Sequence, residues 1–393
     1  MSFSSIPVLD LSLARSQDTK SAFLESLRNA LLDVGFLYIK NTGIDDALIH
    51  DVIEQGKAFF DLPEEKKLEI QMKNVPSFLG YNKLGNEITA LQTDWREQID
   101  ISTPHPLPTS TSPLYHNLLS PNQWPDPASL PFFRPTYETY ITQMSALSIE
   151  FTSLISEALH LPSTAFDRFF DKSQQHKLKI VKYPDTASLP SANKSQGVGP
   201  HKDSMLTSYL LQVPPHTGLQ AQTLNGSWVD CPPLPSTLVV AIGQGLEALT
   251  HGVCKSTTHR VLSPKAGLGP RFSVPFFQGV SYDATFESVD VPEDILAMRD
   301  QRLEERGGKR VDDVEFTFTK GRWGHLGEAT LVNRVKSHQD VGERWYPDIL
   351  KRIKDEQAAA RKTAEEGEKP VARDEGQEQG ISKGDGVYAI RAH

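Results

Sequence analysis

Residues 177–280 carry the pattern that most narrows what this chain can fold into. Seven short β-prone runs follow one another there: LKIVKY, LTSYLLQV, LQAQTL, GSWVDC, TLVVAIG, TTHRVL and RFSVPFF. Turn sequences such as PPHTG, LNG and PPLPS separate several of them. Several runs alternate apolar and polar residues. Short, closely spaced strands of this kind fit an antiparallel sandwich or barrel such as a jelly roll, whose inside can hold a small-molecule cavity. The 27 prolines and 26 glycines, many of them in mid-chain, argue against a helical bundle.

Helical periods flank this region. Phe23, Leu27, Leu31 and Val34 fall on one face of a helix over 20–34, and residues 44–60 return to the same spacing. IPVLD and GFLYIKN read as strands, and DLPEEKK opens a short helix with acidic residues in its first turn. The proline-rich segment 103–135 is expected to be a long connection without strand or helix. After it, Tyr140, Met144, Leu147, Phe151, Leu154 and Ala158 define the clearest helix, its apolar face directed to the core. Residues 293–305 and 328–354 are helical again. The polar stretch from 355 is short of apolar anchors and is expected to be a disordered tail. The resulting division is an N-terminal mixed region (1–135), a long helix and β core (136–285), a C-terminal helical region (286–354) and the tail (355–393).

Composition excludes several classes. The chain of 393 residues is 38% hydrophobic, enough for a large core. Its net charge is −9 and its pI about 5.8, so the basic footprint of a nucleic-acid binder is missing. Two cysteines, Cys231 and Cys254, make no disulfide framework and no zinc ribbon. No apolar run reaches membrane-spanning length, and the first residues, MSFSSIPVLDLSLARSQ, do not read as a signal peptide. A reducing cytoplasmic setting is expected, with the nucleus also open, and the chain is expected to act as a monomer.

The stretch GVGPHKDSMLT sets His201 and Asp203 one residue apart in a β-like segment. Positions i and i+2 of a strand share a face. Such a couple can pair, titrate as an acid and a base, or share a metal. A third ligand is available from KSTTHRVLS, which supplies His259. Two histidines and a carboxylate on one side of a metal leave three positions open, as at non-haem Fe(II) sites that activate oxygen. RFSVPFF then sets Arg271 and Ser273 on one strand face. A guanidinium fork with a hydroxyl suits a carboxylate. 2-Oxoglutarate fits both features, its keto acid on the metal and its distal carboxylate on Arg271 and Ser273. His251 and His216 read as turn residues, Cys254 as packing, and Lys202 and Ser204 as pointing away from the metal.

These five positions, in the order H-x-D, His, R-x-S, resemble the isopenicillin N synthase-like family of iron/2-oxoglutarate-dependent dioxygenases. IPVLDLS, VGFLYIKNTGI, AFFDLPEEKK, DWREQIDIS and PNQWPDP are similar to family phrases, as are GLQAQTLNGSWVDCPPLPSTLVVAIGQGLEALTHG and HQDVGERWYP. The resemblance covers residues 5–348. It implies a mainly β fold with flanking helices (α+β), in which a double-stranded β-helix, or jelly roll, is wrapped by N- and C-terminal helices. It implies His201, Asp203 and His259 as metal ligands, and Fe(II), 2-oxoglutarate and O2 as cofactors, with ascorbate as an auxiliary. Tyr183 is implied as a third group for 2-oxoglutarate, with Arg271 and Ser273. Many plant members have N-x-Y where this chain has Val181–Lys182–Tyr183, so the Asn is missing. Gly243–Gln244 and His251–Gly252 also depart from the family's Gly-Asp and Asn-Gly.

The expected reaction is oxidation, most simply hydroxylation, of a small organic metabolite with release of succinate and CO2. Two alternatives stand beside it: a 2-oxoglutarate-independent iron oxidase or cyclase of the same fold, and a non-catalytic small-molecule-binding protein. The pocket walls are expected from the outer helices, 103–135 and 280–320.

Overall fold

The computed structural model describes residues 3–89, 92–170, 175–189, 195–285, 287–305 and 324–367. In chain order the N-terminal part holds β1 (Val8–Asp10), α1 (Gln17–Asp33), β2 (Phe36–Lys40), α2 (Asp46–Asp61) and α3 (Glu64–Leu68). It continues with β3 (Gly80–Asn82), β4 (Ile88–Thr89), β5 (Gln92–Thr93) and β6 (Glu97–Ser102). The long helix α4 (Phe133–Ala158) leads into β7 (Lys177–Tyr183), β8 (Gln196–His201), β9 (Thr207–Gln212), β10 (Leu219–Gln222), β11 (Trp228–Asp230) and β12 (Thr237–Ile242). Then come α5 (Gln244–Leu249), β13 (His259–Leu262), β14 (Arg271–Phe277), α6 (Glu293–Glu305), α7 (Leu326–Ser337), α8 (Gln339–Trp345) and α9 (Pro347–Gly367).

Two sheets make the jelly roll. The large one has the order β1-β2-β12-β9-β14-β7-β6-β3, and the small one β11-β10-β13-β8. All pairs within them are antiparallel except β1 with β2. The N-terminal region is not a separate body, because β1, β2, β3 and β6 are strands of the large sheet. Alternation along each strand sorts its residues between two cores. Val181, Tyr183, Val239 and Ala241 of the large sheet meet Val198, Leu219, Ala221 and Val261 of the small one. Leu178, Ile180, Val240, Val274 and Phe276, one residue out of step, pack against α1, α2 and α4 on the other face.

The apolar stripe read on α4 is buried in full: Tyr140, Met144, Leu147, Phe151, Leu154 and Ala158. The helix starts at Phe133, inside the segment expected to be irregular, because Pro135 falls in the first turn, where a missing N–H costs nothing. That segment also contains a 3-10 turn at Leu114–Leu118, whose Tyr115 and Leu118 bury against Leu331 and Val335 of α7. The tail expected from 355 begins as helix, since α9 runs to Gly367. Its sequence from Glu356 to Glu366 is rich in Ala, Glu, Lys and Arg, strong helix formers. Residues 368–393 lie outside the described residues. No helix among the described residues is long and apolar enough to cross a membrane.

Phe276 sits at the centre of the helix-packed face, fully buried, with its ring centroid 5.0 Å from that of His176 and 6.2 Å from that of Tyr209. Phe276→Ala is expected to lower unfolding stability by about 3–5 kcal/mol through the cavity it leaves. The urea midpoint of the purified variant checks this.

Candidate metal centre

The register of β8 and β13 brings two imidazoles face to face. His201 and His259 are direct cross-strand partners, with ring centroids 4.3 Å apart. Each Nδ1 lies against the carbonyl two residues earlier in the chain, 2.9 Å to Gly199 O for His201 and 3.1 Å to Thr257 O for His259. A nitrogen facing a carbonyl oxygen carries the proton, so each Nε2 presents its lone pair. Both lone pairs face Asp203: His201 Nε2 lies 3.8 Å from Oδ1 and His259 Nε2 3.9 Å from Oδ2. Ligand atoms of all three residues fall within 4.8 Å of one another. Burial, then the neighbouring His259, push the His201 pKa down to about 4, which keeps it a neutral ligand near pH 7. Three acceptors converging in this way repel one another unless a cation sits between them. Two imidazoles and one carboxylate suit a ferrous ion with open positions.

Asp203 is not held by strand geometry, as the i, i+2 spacing suggested, because β8 ends at His201. Its place comes from the start of α5. Gln244 N donates to the Asp203 carbonyl at 2.7 Å, and Gly243 N to that of Leu206 at 2.9 Å. A Cβ at Gly243 would lie 1.9 Å from Met205 O, so only glycine lets the loop pass this close. Lys202, between the two ligands, points away to Glu247 at 3.7 Å. His251 is an exposed turn residue at φ 53°, and Cys254 is buried.

Arg271, Ser273 and Tyr183 gather on the inner face of the large sheet. Arg271 is the direct partner of Tyr183 on β7, and Ser273 is the partner of Val181 there and of Gln212 on β9. The Arg271 guanidinium lies over the Tyr183 ring, 5.0 Å from its centroid. It is wholly buried. Nη2 donates to Gln212 Oε1 at 3.0 Å, while Nε and Nη1 have no hydrogen-bond partner among the described residues. Burial lowers its pKa, with Tyr183 opposing. A cation so placed, with donors unused, fits an anion arriving from outside the chain.

Two positioning residues escaped the sequence reading. Gln212 bridges Arg271 to the Cys231 carbonyl, to which its Nε2 donates at 3.0 Å. A polar residue set between Leu211 and Val213 in the run LTSYLLQV was the available signal. Asp94 ties the β4–β5 hairpin to β8 by accepting from Gly199 N and Gln196 Nε2, each at 3.1 Å. It stands in the DWREQIDIS phrase, but its partners lie more than a hundred positions away.

Comparison with known proteins places the chain in a family. Residues 6–127 match the model for the non-haem dioxygenase in morphine synthesis N-terminal region, and residues 175–280 that for the 2OG-Fe(II) oxygenase superfamily. A 2-oxoglutarate-dependent dioxygenase, frbJ, of Dothideomycetidae sp. (strain 11243) is 67% identical over 360 residues, covering 91% of this chain and 97% of the relative. The chain belongs to the 2OG-Fe(II) oxygenase superfamily. As a dioxygenase of that family it uses Fe(II), 2-oxoglutarate and O2. A homoarginine-6-hydroxylase of Glycine max is 30% identical over 304 residues, covering 73% of this chain and 89% of the relative. The crystal structure of a full-length Neurospora crassa protein in complex with alpha-KG matches with a TM-score of 0.62 and 26% identity. That match covers 74% of this chain and 91% of the other.

Gly243→Ala in this dioxygenase is expected to displace the loop carrying Asp203 and to weaken metal binding about tenfold or more. Cobalt(II) titration followed by visible absorption checks it, with circular dichroism reporting the fold.

Proposed function

We propose that this dioxygenase hydroxylates a small organic metabolite, with His201, Asp203 and His259 as the iron ligands. Arg271 and Ser273, with Tyr183 beside them, hold the distal carboxylate of 2-oxoglutarate. The observation that carries the reading is the buried Arg271, whose Nε and Nη1 have no partner within the described chain. When bound, the iron supplies dioxygen activation: 2-oxoglutarate, O2 and R–H become succinate, CO2 and R–OH. The protein's part is to hold, orient and shield. Both imidazoles keep their protons on Nδ1 and offer Nε2 in a fixed direction. Gln212 keeps one guanidinium nitrogen engaged, so the two unused donors stay aimed at the anion. The Tyr183 ring and the apolar inner core keep water from competing with that contact.

Hydroxylation is supported by the hydroxylase named above. The 2-oxoglutarate-independent alternative is disfavoured by the relative at 67% identity, a 2-oxoglutarate-dependent enzyme. Val181, where plant members carry Asn, offers no hydrogen bond, and Gln212 supplies a polar group on the neighbouring strand instead.

Anaerobic addition of Fe(II) and 2-oxoglutarate is expected to give a weak visible charge-transfer band. Its absence with intact iron binding overturns the cosubstrate assignment. His259→Ala is expected to abolish iron-dependent turnover. Arg271→Ala should weaken 2-oxoglutarate binding about a hundredfold, and Gln212→Leu about tenfold, with iron affinity kept in both. Titration of the band measures each, and unchanged 2-oxoglutarate affinity in Arg271→Ala sinks the assignment of the clamp.

A further inference from the structure

One buried carboxylate outside the ligand set meets every segment that carries a ligand. Glu247 lies in α5, the helix whose first turn pins the loop of Asp203. Its Oε2 lies 3.7 Å from Nζ of Lys202, the residue between His201 and Asp203, and the two side chains are 5% and 3% exposed. Its Oε1 accepts from Ser256 N at 3.1 Å. The next residue, Thr257, supplies the carbonyl that His259 Nδ1 faces at 3.1 Å, and its hydroxyl donates to the Val34 carbonyl. Between α5 and Ser256 the chain folds back on the helix. Gly252 N donates to the Glu247 carbonyl at 2.8 Å, and Cys254 N to Thr250 Oγ1 at 3.0 Å. Each carboxylate oxygen thus serves a different segment: Oε2 the stretch with His201 and Asp203, Oε1 the approach to His259.

A buried ion pair is a poor device for stability alone. Desolvation of both charges offsets most of their attraction, and apolar side chains of similar size often do as well or better. Such a pair does favour one geometry, because in a low-dielectric surrounding both partners lose much when they part. α5 is six residues long and closes few hydrogen bonds of its own, so its place depends on contacts of this kind. Metal sites loosen when the groups behind their ligands are removed.

We propose that Glu247, paired with Lys202, is a positioning residue for the iron site, and that it locks the spacing between the His201–Asp203 segment and His259. This rests on the metal reading above. It acts through Lys202 and Ser256 and is not itself a ligand.

Charge and position predict different signs. Removing a negative charge near a divalent cation weakens its binding, and removing a positive charge tightens it. A pair acting through charge alone would make Glu247→Gln bind metal more weakly and Lys202→Met more tightly. A positioning pair makes both weaker, since either change opens the same link.

The test is cobalt(II) titration of the full chain followed by visible absorption, with circular dichroism melting of each variant. Lys202→Met, Glu247→Gln and Glu247→Leu are each expected to bind cobalt(II) about tenfold less tightly and to shift its visible bands at saturation, and Lys202→Arg to restore most of the affinity. Glu247→Gln keeps an acceptor for Ser256 N, so it carries the test if Glu247→Leu does not fold. Phe276→Ala, which opens a cavity on the helix-packed face, is expected to lose stability and to keep its cobalt(II) affinity within about twofold. Unchanged or tighter cobalt(II) binding in Lys202→Met overturns this proposal alone. An equal loss of affinity in Phe276→Ala assigns the effect to stability and also overturns it. A wild type that binds no cobalt(II), or gives no charge-transfer band with Fe(II) and 2-oxoglutarate, overturns the iron and cosubstrate reading and this proposal with it.

Discussion

A guanidinium sealed inside an apolar barrel sets the terms for the rest of this fold. Removing an ion from water costs several kcal/mol even after the protein relaxes around it. Arg271 recovers part of that cost from one hydrogen bond to Gln212 and from the face of Tyr183. The remainder is left open at Nε and Nη1. A group in this state stabilises whatever anion reaches it, and the anion in turn stabilises the barrel. By mass action a ligand at a hundred times its dissociation constant adds about 2.7 kcal/mol to folding stability. Cosubstrate capture and barrel integrity are therefore coupled through a single side chain.

The three candidate metal ligands depend on two different devices. The histidines are placed by the pairing of β8 with β13, which sets His201 directly opposite His259. The carboxylate is placed by a loop pinned to the first turn of α5. A shift of α5 would thus act on Asp203 directly, and on the histidines only through the contacts of Glu247 with Lys202 and Ser256. Gly243 marks the point of closest approach, which accounts for a glycine there even though the next residue departs from the family's Gly-Asp.

Much of this was legible in the sequence, and the failures have physical reasons. The seven β runs, the α4 stripe and the H-x-D, His, R-x-S series depend on local period and spacing, which one chain displays openly. β8 was harder, since QGVGPH has the composition of a loop. It is a strand because neighbours crowd it: a Cβ at Gly197 would meet the Tyr183 ring at 2.9 Å, and one at Gly199 the Gln196 side chain at 2.9 Å. α9 was cut short because low hydrophobicity was weighed above helix propensity in its last turns. Gln212 and Asp94 act through partners distant in sequence, and no local pattern reports those. Of the span 280–320, expected to wall the pocket, Val280 and Tyr282 line a cavity of about 210 Å³, and residues 306–323 lie outside the described residues.

One strand concentrates these constraints. On β7, Tyr183, Val181, Lys179 and Lys177 face inward, while Leu178 and Ile180 pack under the helices. Because side chains alternate with period two, a slip of one residue against β14 would exchange the two sets. Leu178 and Ile180 would enter the barrel, and two more lysines would be driven among the apolar side chains beneath α2 and α4, beside Lys182, which already pairs with Glu97 there. The same slip would part Tyr183 from Arg271. The apolar face beneath the helices, which does no chemistry, is therefore what holds Tyr183 in register with Arg271.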